Sequence, residues 1–443
     1  MANAKRRLCP PLLGDTPLKR RVIRAISWST LGTGTVQALF LVASILTARI
    51  LGAEEFGRLS IIQLTLNLLV SFIAPSFGWT LTRTAATLRE SNPKRLGELV
   101  SAVALSGTAV TFVLAAGLFL LAPWMCFTWF IDPRLQVPMQ ITALSVFANG
   151  VLALQVSLLA GFEAFRENAF LNALRGIILA VLMVLGALVG GLNGAVWGSA
   201  LSSLLVVGVG GGLVAHRLRK YAITLHRARL RTGYEVLIHV SLPSFLSTVL
   251  GSITIWLGSM LLARLPNGLV QVAVFNAANH WKTMLLFLPV QISQSIMPIL
   301  ANLWSQGELR RLTALVRASL WINLLVTGLP CLFLMVAADP IMHLYRLNFG
   351  AEALAFRLLI ASSVMTALCG VLGYTMLAIG RLWQGLMVNA LWAMVFIGTT
   401  WTMLPHGVLS LGIAYFASYS LLFLVSLVYV VYSLGASVRR RAA

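Results

Sequence analysis

The chain of 443 residues is 59% hydrophobic and 10% charged, with a mean hydropathy of +0.89. This composition excludes a soluble globular domain, because such domains carry about 25% charged residues. The formal net charge of +21 would fit a nucleic-acid-binding protein, but the basic residues lie almost entirely in short connections between apolar runs, so nucleic acid is not an expected partner.

Apolar runs of about 20 residues recur along the whole chain. A run of this length crosses the roughly 30 Å hydrocarbon core as a helix, because backbone polar groups in lipid must be satisfied within their own segment. The sequence therefore predicts an all-α polytopic membrane protein. Its twelve predicted transmembrane helices lie at 26–48, 59–80, 98–121, 138–160, 170–190, 194–215, 237–262, 270–300, 313–336, 357–378, 384–403 and 408–434.

Short patterns recur between the two halves of the chain. Arg49 follows the first span and Arg264 follows the seventh, 215 residues later. Two more pairs recur at nearly that offset: Gly161 with Gly380, and Asn172 with Asn389. Two like halves are the usual build of a carrier that rocks one half against the other, although chance recurrence over so few identities is the alternative.

The predicted organisation is two pseudo-symmetric six-helix lobes between basic segments. It comprises a basic N-terminal segment 1–25, an N-lobe 26–215, a basic linker 216–236, a C-lobe 237–434 and a basic tail 435–443. Alternating basic and apolar residues in the linker suit a helix on the inner membrane surface. The alternative is a solvated linker that only fixes orientation.

The basic residues are distributed unequally between the two sides of these spans. With the N-terminus inside, 26 of the 33 lysines and arginines fall on the cytoplasmic side, including Arg166 and Arg175 after span four. This asymmetry follows the positive-inside rule and predicts that both termini are cytoplasmic. The basic loops are expected to contact anionic lipid headgroups.

Polar residues inside the spans are the candidates for a binding site. Lys282 lies near the middle of span eight beside His280, and a buried charge in a membrane is expected to face a wet cavity or a partner. Asn67 is the counterpart of Lys282 at the repeat offset. Gln37 in span one and Thr248 in span seven belong to hydroxyl and amide stripes on one helix face, which either line a cavity or pack helices together.

No aspartate or glutamate is predicted near mid-span, which argues against a pathway for cations. A cation-coupled drug exporter normally holds its cation on a buried carboxylate. Arg24 and Arg83 near the cytoplasmic mouth, together with Lys282, favour an anion such as pyrophosphate, while simple orientation anchors are the alternative for the two arginines. The four cysteines have no paired spacing, so neither a metal site nor a cofactor is predicted.

Motifs in a fixed order along nearly the whole chain resemble those of one transporter family. They are Ser27–Gly32 (SWSTLG), Thr47–Gly57 (TARILGAEEFG), Phe77–Gly78 with Arg83, Gly161–Arg166 (GFEAFR), Ala273–Ala278 (AVFNAA), Phe349–Glu352 (FGAE), Ala378–Arg381 (AIGR) and Leu404–Val408 (LPHGV). Together they resemble the polysaccharide-type oligosaccharide flippases. Their superfamily also holds multidrug-and-toxin exporters and lipid II flippases.

The resemblance implies a carrier without a chemical step. Two six-helix lobes would surround a cationic cavity and move an undecaprenyl-pyrophosphate-linked glycan across the bacterial cytoplasmic membrane by alternating access. Its implied partners are that glycan, membrane lipids and the polysaccharide assembly machinery. Span two lacks the internal arginines of the lipid II branch, so lipid II is not assigned.

Two other classes of function stay open. One is a cation-coupled multidrug exporter of the same superfamily. The other is a membrane glycan polymerase or transferase, which would need a large outer loop with acidic or His/Arg clusters; the predicted loops are too short for one.

Overall fold

The computed structural model describes residues 17–73, 77–224, 231–346 and 352–442, with side chains for 32–73, 77–224, 242–346 and 352–434. Over this part of the chain the regular structure is helical, with no strand. Its α-helices are α1 Pro17–Leu51, α2 Ala53–Val70, α3 Trp79–Leu88, α4 Pro93–Thr128, α5 Gln136–Gly161, α6 Phe165–Lys220, α7 Arg231–Ala263, α8 Gly268–Gln306, α9 Leu309–Val336, α10 Ala338–Leu344, α11 Glu352–Ala378, α12 Leu382–Thr402 and α13 Val408–Ala442.

Ten of the described helices are long and apolar enough to cross a membrane. Their surfaces expose large apolar side chains, such as Leu120 at 73% and Val189 at 92%. A water-soluble monomer rarely exposes so much apolar surface. The prediction of an all-helical polytopic membrane protein is confirmed.

The second predicted span, 59–80, is not one continuous helix. Helix α2 ends at Val70 and a turn follows at 71–73; residues 74–76 lie outside the described part, and two π-helical residues, 77 and 78, lead into α3 at Trp79. The described part of α2 is 18 residues long and is not among the ten candidate spans.

Helix α6 corresponds to the predicted spans five and six. Its 56 residues contain two non-helical residues, Gly190 and Gly191, at the predicted break. The two segments lie backbone to backbone, because a Cβ on Gly198 would be 2.0 Å from the carbonyl oxygen of Leu182. A straight helix of this length would reach about 84 Å, so α6 is better described as two helices that double back at the glycine pair.

The predicted basic linker and tail are largely extensions of neighbouring helices. Helix α6 continues to Lys220 and α7 begins at Arg231, while residues 225–230 lie outside the described part. Helix α13 runs to Ala442, into the predicted tail. The predicted surface helix between the lobes therefore overlaps the end of α6 and the start of α7.

Helix packing divides between α1–α6, which we call the N-half, and α7–α13, the C-half. Helix α8 packs against α1 and α2 across the boundary, and α7 contacts α2 and α4. The closest approach is at Gly57, where an added Cβ would lie 2.0 Å from the carbonyl oxygen of Leu269. Only glycine lets the backbones of α2 and α8 come so close.

Candidate functional site

The N-half encloses a polar cavity of about 320 Å³, which we call the N-half cavity. Its wall comes from α1, α2, α5 and α6, with α8 closing one side. Its polar lining residues are Gln37, Gln63, Asn67, Thr142, Ser145, Asn149, Arg175, Ser199, Ser202, Ser203, Asn276, Asn279, His280 and Thr283. Six of them are amides, one is an arginine and none is a carboxylate, so the lining offers many hydrogen bonds and one permanent positive charge.

Arg175 supplies that charge. Its Nη2 donates to Asn149 Oδ1 at 2.8 Å, and Asn149 Nδ2 in turn donates to Ser203 Oγ at 2.9 Å. Among the described residues Arg175 has no carboxylate partner, so a neutral amide holds the guanidinium. A positive charge held this way is available to an anion that enters the cavity.

Arg175 was not predicted as a site residue. The charge distribution predicts Arg175 on the cytoplasmic side with Arg166; in the structure it lies ten residues into α6 and lines the cavity. The sequence does contain a pattern that indicates a polar helix face: Asn168, Asn172 and Arg175 follow one another at spacings of four and three residues. A count of charges by side cannot separate an orientation anchor from a residue that faces inward.

Three predicted site residues meet in the N-half cavity. Gln37, Asn67 and His280 all line it, although they come from α1, α2 and α8. The Nδ1 atom of His280 lies 2.7 Å from Ser44 Oγ, and its ring meets the Phe40 ring edge-on at 4.9 Å. The structure thus brings the polar stripe of span one together with the polar residues of spans two and eight.

Lys282 lies deep in the protein but lines neither of the two cavities described here. It is 4% exposed, and its Nζ lies 3.7 Å from the centre of the Tyr415 ring and 4.9 Å from that of Tyr419. Within the described residues Nζ has no hydrogen-bond partner, so its charge is in contact with the faces of the Tyr415 and Tyr419 rings on α13. This is a cation–π geometry between α8 and α13.

A second cavity of about 360 Å³ lies in the C-half, between α7, α11, α12 and α13. We call it the C-half cavity. It contains the predicted residue Thr248, together with Tyr374, Asn389 and the exposed Arg381. The hydroxyl of Thr248 donates to the Ser244 carbonyl at 2.9 Å, so part of its capacity is used within α7. The stripes of spans one and seven therefore line separate cavities.

Of the two predicted arginines of the cytoplasmic mouth, only Arg83 has a described side chain. Arg83 lies exposed on α3 and lines neither cavity. Arg24 belongs to α1, but its side chain lies outside the described residues.

The halves are joined by reciprocal contacts of two arginines at one end of the bundle, which we call the Arg49 end. Arg49 Nε donates to the carbonyl oxygen of Leu344 at 2.7 Å, from the N-half to the C-half. Arg264 Nε donates to the carbonyl oxygen of Trp129 at 3.0 Å, in the opposite direction. The donors lie 215 residues apart, from 49 to 264, and so do the acceptors, from 129 to 344. Such mutual pairing is the signature of a two-fold interface.

Aromatic and ionic contacts surround these arginines. Trp256 of α7 lies 5.6 Å from the Trp129 ring, and its Nε1 donates to Thr65 Oγ1 at 3.0 Å. On the N-half, buried Arg58 pairs with three carboxylates: Glu54 at 2.6 Å, Glu55 at 2.7 Å and Asp132 at 2.6 Å. The Arg49 end is therefore held closed by contacts between the halves.

Comparisons with known proteins agree with this architecture. The sequence profile of the family described as "Polysaccharide biosynthesis protein" matches residues 22–304. The chain is 26% identical over 436 residues to the EPS I polysaccharide export inner membrane protein EpsE of Ralstonia solanacearum, covering 96% of this chain and 97% of that protein. An inward-facing multidrug resistance MATE family transporter of the MOP superfamily has a similar fold, with a TM-score of 0.72, 15% identity, and coverage of 91% of this chain and 96% of that one. An outward-facing MATE transporter gives a TM-score of 0.67 at 16% identity, with coverage of 95% and 97%.

Proposed function

This chain belongs to the polysaccharide biosynthesis protein family, and from that premise we propose that it is a flippase for a lipid-linked oligosaccharide. The substrate is a glycan on undecaprenyl pyrophosphate, which the protein carries across the cytoplasmic membrane by alternating access for surface polysaccharide biosynthesis. It acts as a carrier, with no bond made or broken. The similar EPS I protein, named for polysaccharide export at the inner membrane, supports this direction and compartment.

The observation that carries the proposal is the chemistry of the N-half cavity. Its lining combines six amides, hydroxyl groups and Arg175, with no carboxylate. Sugars are recognised by hydrogen bonds, and phosphate or carboxylate groups by arginine. This lining has no negative charge for a cationic drug, whereas Arg175 offers a positive charge to an anionic glycan.

The proposal includes twelve transmembrane helices in two lobes, 26–215 and 237–434, with both termini cytoplasmic. In this scheme α2 and α3 form one broken span and α6 forms two, which adds two spans to the ten continuous candidates. The Arg49 end then faces outward. Arg24 and Arg83 near the opposite mouth attract the pyrophosphate, and the prenyl tail stays in lipid.

The two lobes rock between two states when the glycan binds one state more tightly than the other. The glycan moves the equilibrium only if it binds the two states unequally. The reciprocal arginine contacts stabilise the state that is closed at the Arg49 end. When these contacts break, the Arg49 end opens and the cavity becomes accessible from outside the membrane. Lys282 on α8 keeps its contact with α13 during this step, because both helices belong to the C-lobe.

The proposal is tested by deleting the gene and restoring it in the source bacterium. Deletion should abolish exported polysaccharide and accumulate the lipid-linked oligosaccharide on the cytoplasmic side, and wild-type chain should restore export. Arg175→Gln should restore at most about a tenth of it, since a charge-assisted hydrogen bond contributes about 1.5–3 kcal/mol. Arg219→Gln, which removes an exposed arginine near the end of α6, should restore it fully. Normal export after deletion contradicts the proposal.

A multidrug exporter is the second candidate, favoured by the fold shared with MATE transporters. Expression in a drug-sensitive strain distinguishes the two. Raised resistance to cationic drugs, without a change in exported glycan, would favour the exporter.

A further inference from the structure

A buried amide of α8 joins the two halves at the edge of the N-half cavity. Asn276 is 3% exposed, and its Nδ2 donates to Ser60 Oγ at 2.9 Å and to Gln63 Oε1 at 3.1 Å, both on α2. An amide nitrogen has two N–H donors, so both of them cross the boundary between the halves. The Ser60 hydroxyl donates to the Phe56 carbonyl oxygen at 2.8 Å, which leaves its oxygen as an acceptor and fixes the orientation of the Asn276 amide. We call Asn276, Ser60 and Gln63 the Asn276 clasp.

The clasp lies between the closed Arg49 end and the cavity. The backbones of α2 and α8 come closest at Gly57 and Leu269, near the start of both helices. Asn276 lies about two turns further along α8, and its two acceptors lie one to two turns further along α2. Asn276 and Gln63 are wall residues of the N-half cavity, whereas Ser60 is fully buried. A ligand in the cavity therefore reaches the contact between the two amides directly.

The clasp is present on one side of the repeat and absent from the other. The offset of 215 residues relates the reciprocal arginine contacts to each other. At the same offset the three positions of the clasp correspond to the apolar residues Phe275, Ile61 and Ala278. Apolar side chains are thus sufficient for packing at the equivalent positions. A buried polar residue in a membrane span is costly, so we expect the clasp to have a use beyond packing.

A hydroxyl group has the chemistry to replace the contact between Asn276 and Gln63. It accepts a hydrogen bond from an N–H group and donates one to a carbonyl oxygen, so a hydroxyl that enters between the two amides exchanges one hydrogen bond for two. An ionised phosphate oxygen accepts hydrogen bonds but has no proton to donate to Gln63 Oε1. Insertion of the hydroxyl also moves Nδ2 away from Oε1, and the direct contact between the halves is lost.

We propose that Asn276 is a positioning residue that couples occupancy of the N-half cavity to opening of the Arg49 end. A hydroxyl group of the glycan enters between Asn276 Nδ2 and Gln63 Oε1 and separates α2 from α8 at this point. The contacts that close the Arg49 end are weakened as a result. The proposal rests on the proposed function and adds the residue through which the substrate changes the balance between the two states.

The first test needs no ligand. The full chain, with its four cysteines replaced, carries spin labels at the exposed Pro133 and Pro266, and pulsed electron resonance measures the distance between them. Asn276→Leu keeps a similar volume but leaves buried acceptors without a partner, so it should raise the open population roughly tenfold. Ser60→Ala should raise it less, and should add nothing in the Asn276→Leu background. Asn279→Ala is the matched control, because it removes another cavity amide of α8 that takes no part in the clasp.

The second test adds the substrate. The probe is the lipid-linked oligosaccharide extracted from the deletion strain, and undecaprenyl phosphate is the control probe with lipid and charge but no sugar. In the unsubstituted chain the oligosaccharide should raise the open population several-fold, and undecaprenyl phosphate should not. In Asn276→Leu the oligosaccharide should still bind, as followed by the shift in unfolding temperature, without raising the open population further. A purely structural role of Asn276 would leave the rise caused by the substrate intact.

Three results overturn the proposal. They are an open population in Asn276→Leu equal to that of Asn279→Ala, a substrate-induced rise that persists in Asn276→Leu, and an equal rise with undecaprenyl phosphate. If Asn276→Leu elutes as an aggregate, Ser60→Ala is measured in its place, because it keeps the bond to Gln63. An open population unchanged by Ser60→Ala then overturns the proposal.

Failure of the proposal differs from failure of the proposed function. If gene deletion abolishes export while Asn276→Leu behaves like Asn279→Ala, the flippase stands and the role of Asn276 is wrong. If deletion leaves export intact, the flippase itself is wrong, and the test without ligand still decides whether the clasp holds the Arg49 end closed.

Discussion

Loss of the reciprocal arginine contacts should open the Arg49 end. The perturbation is Arg49→Gln and Arg264→Gln, singly and together. Each removes a guanidinium that donates across the boundary between the halves, to the carbonyl oxygens of Leu344 and Trp129. A shorter neutral amide does not reach the same acceptor.

The magnitude follows from the exposure of these bonds. Both arginines are exposed, so each contact contributes about 1 kcal/mol, which is below the range of about 1.5–3 kcal/mol for hydrogen bonds with a charged group. The two contacts share no partner and should be additive, for a total of about 2 kcal/mol, or roughly 30-fold in the equilibrium constant. If about 1% of the protein is open at this end, the double variant should raise that to about a quarter.

The assay is pulsed electron resonance between spin labels at Pro133 and Pro266, one exposed position on each half. The four native cysteines are first replaced. The double variant should gain a population with a longer distance between the labels. Each single variant should show about half of the double variant's free-energy shift in the opening equilibrium. Arg134→Gln is the control, because it removes an exposed charge at the same end without a side-chain partner in the described residues. An unchanged distance distribution in the double variant, or an equal shift in the control, refutes the reasoning.

Three other substitutions give separable results. Lys282→Met keeps the volume beside the tyrosine rings but removes the buried charge, so the unfolding temperature should hold or rise. Because the substitution also removes the cation–π contact between α8 and α13, glycan export should fall, and full export would show that this contact is dispensable. Gly198→Ala places a Cβ against the Leu182 carbonyl and should lower the unfolding temperature by several degrees, unlike Gly208→Ala, whose added Cβ meets no atom within 4 Å. Arg58→Gln leaves three carboxylates without their shared cation and should destabilise the protein by about 2 kcal/mol at neutral pH in thermal unfolding, with recovery in high salt; a salt-independent loss would point to packing instead.

Much of the helical architecture was predictable because the membrane restricts the possible structures. Apolar runs of sufficient length must be helices in lipid, so the predicted elements agree with the described helices except at the turn 71–73. The break between predicted spans five and six coincides with Gly190 and Gly191, where the backbone leaves helical angles. Sequence hydrophobicity alone did not reveal the interruption of span two.

The site was less predictable because it depends on which helix faces meet. His280 and Lys282 are two residues apart and hence about 200° apart around α8. One therefore faces the N-half cavity, while the other faces the rings of α13. The repeat of Arg49 and Arg264 was visible in the sequence, but their acceptors are backbone carbonyls and leave no side-chain pattern.

Because these two neighbours face opposite ways, α8 belongs mechanically to both halves. His280 ties it to Ser44 of α1 on one side, and Lys282 ties it to Tyr415 of α13 on the other. A rotation of one half relative to the other must therefore strain one of these two contacts or twist the segment of α8 between them. In the proposed transport cycle, a substrate that displaces the His280 ring acts on the same helix segment that carries Lys282, and so reaches the opposite half without intervening side chains.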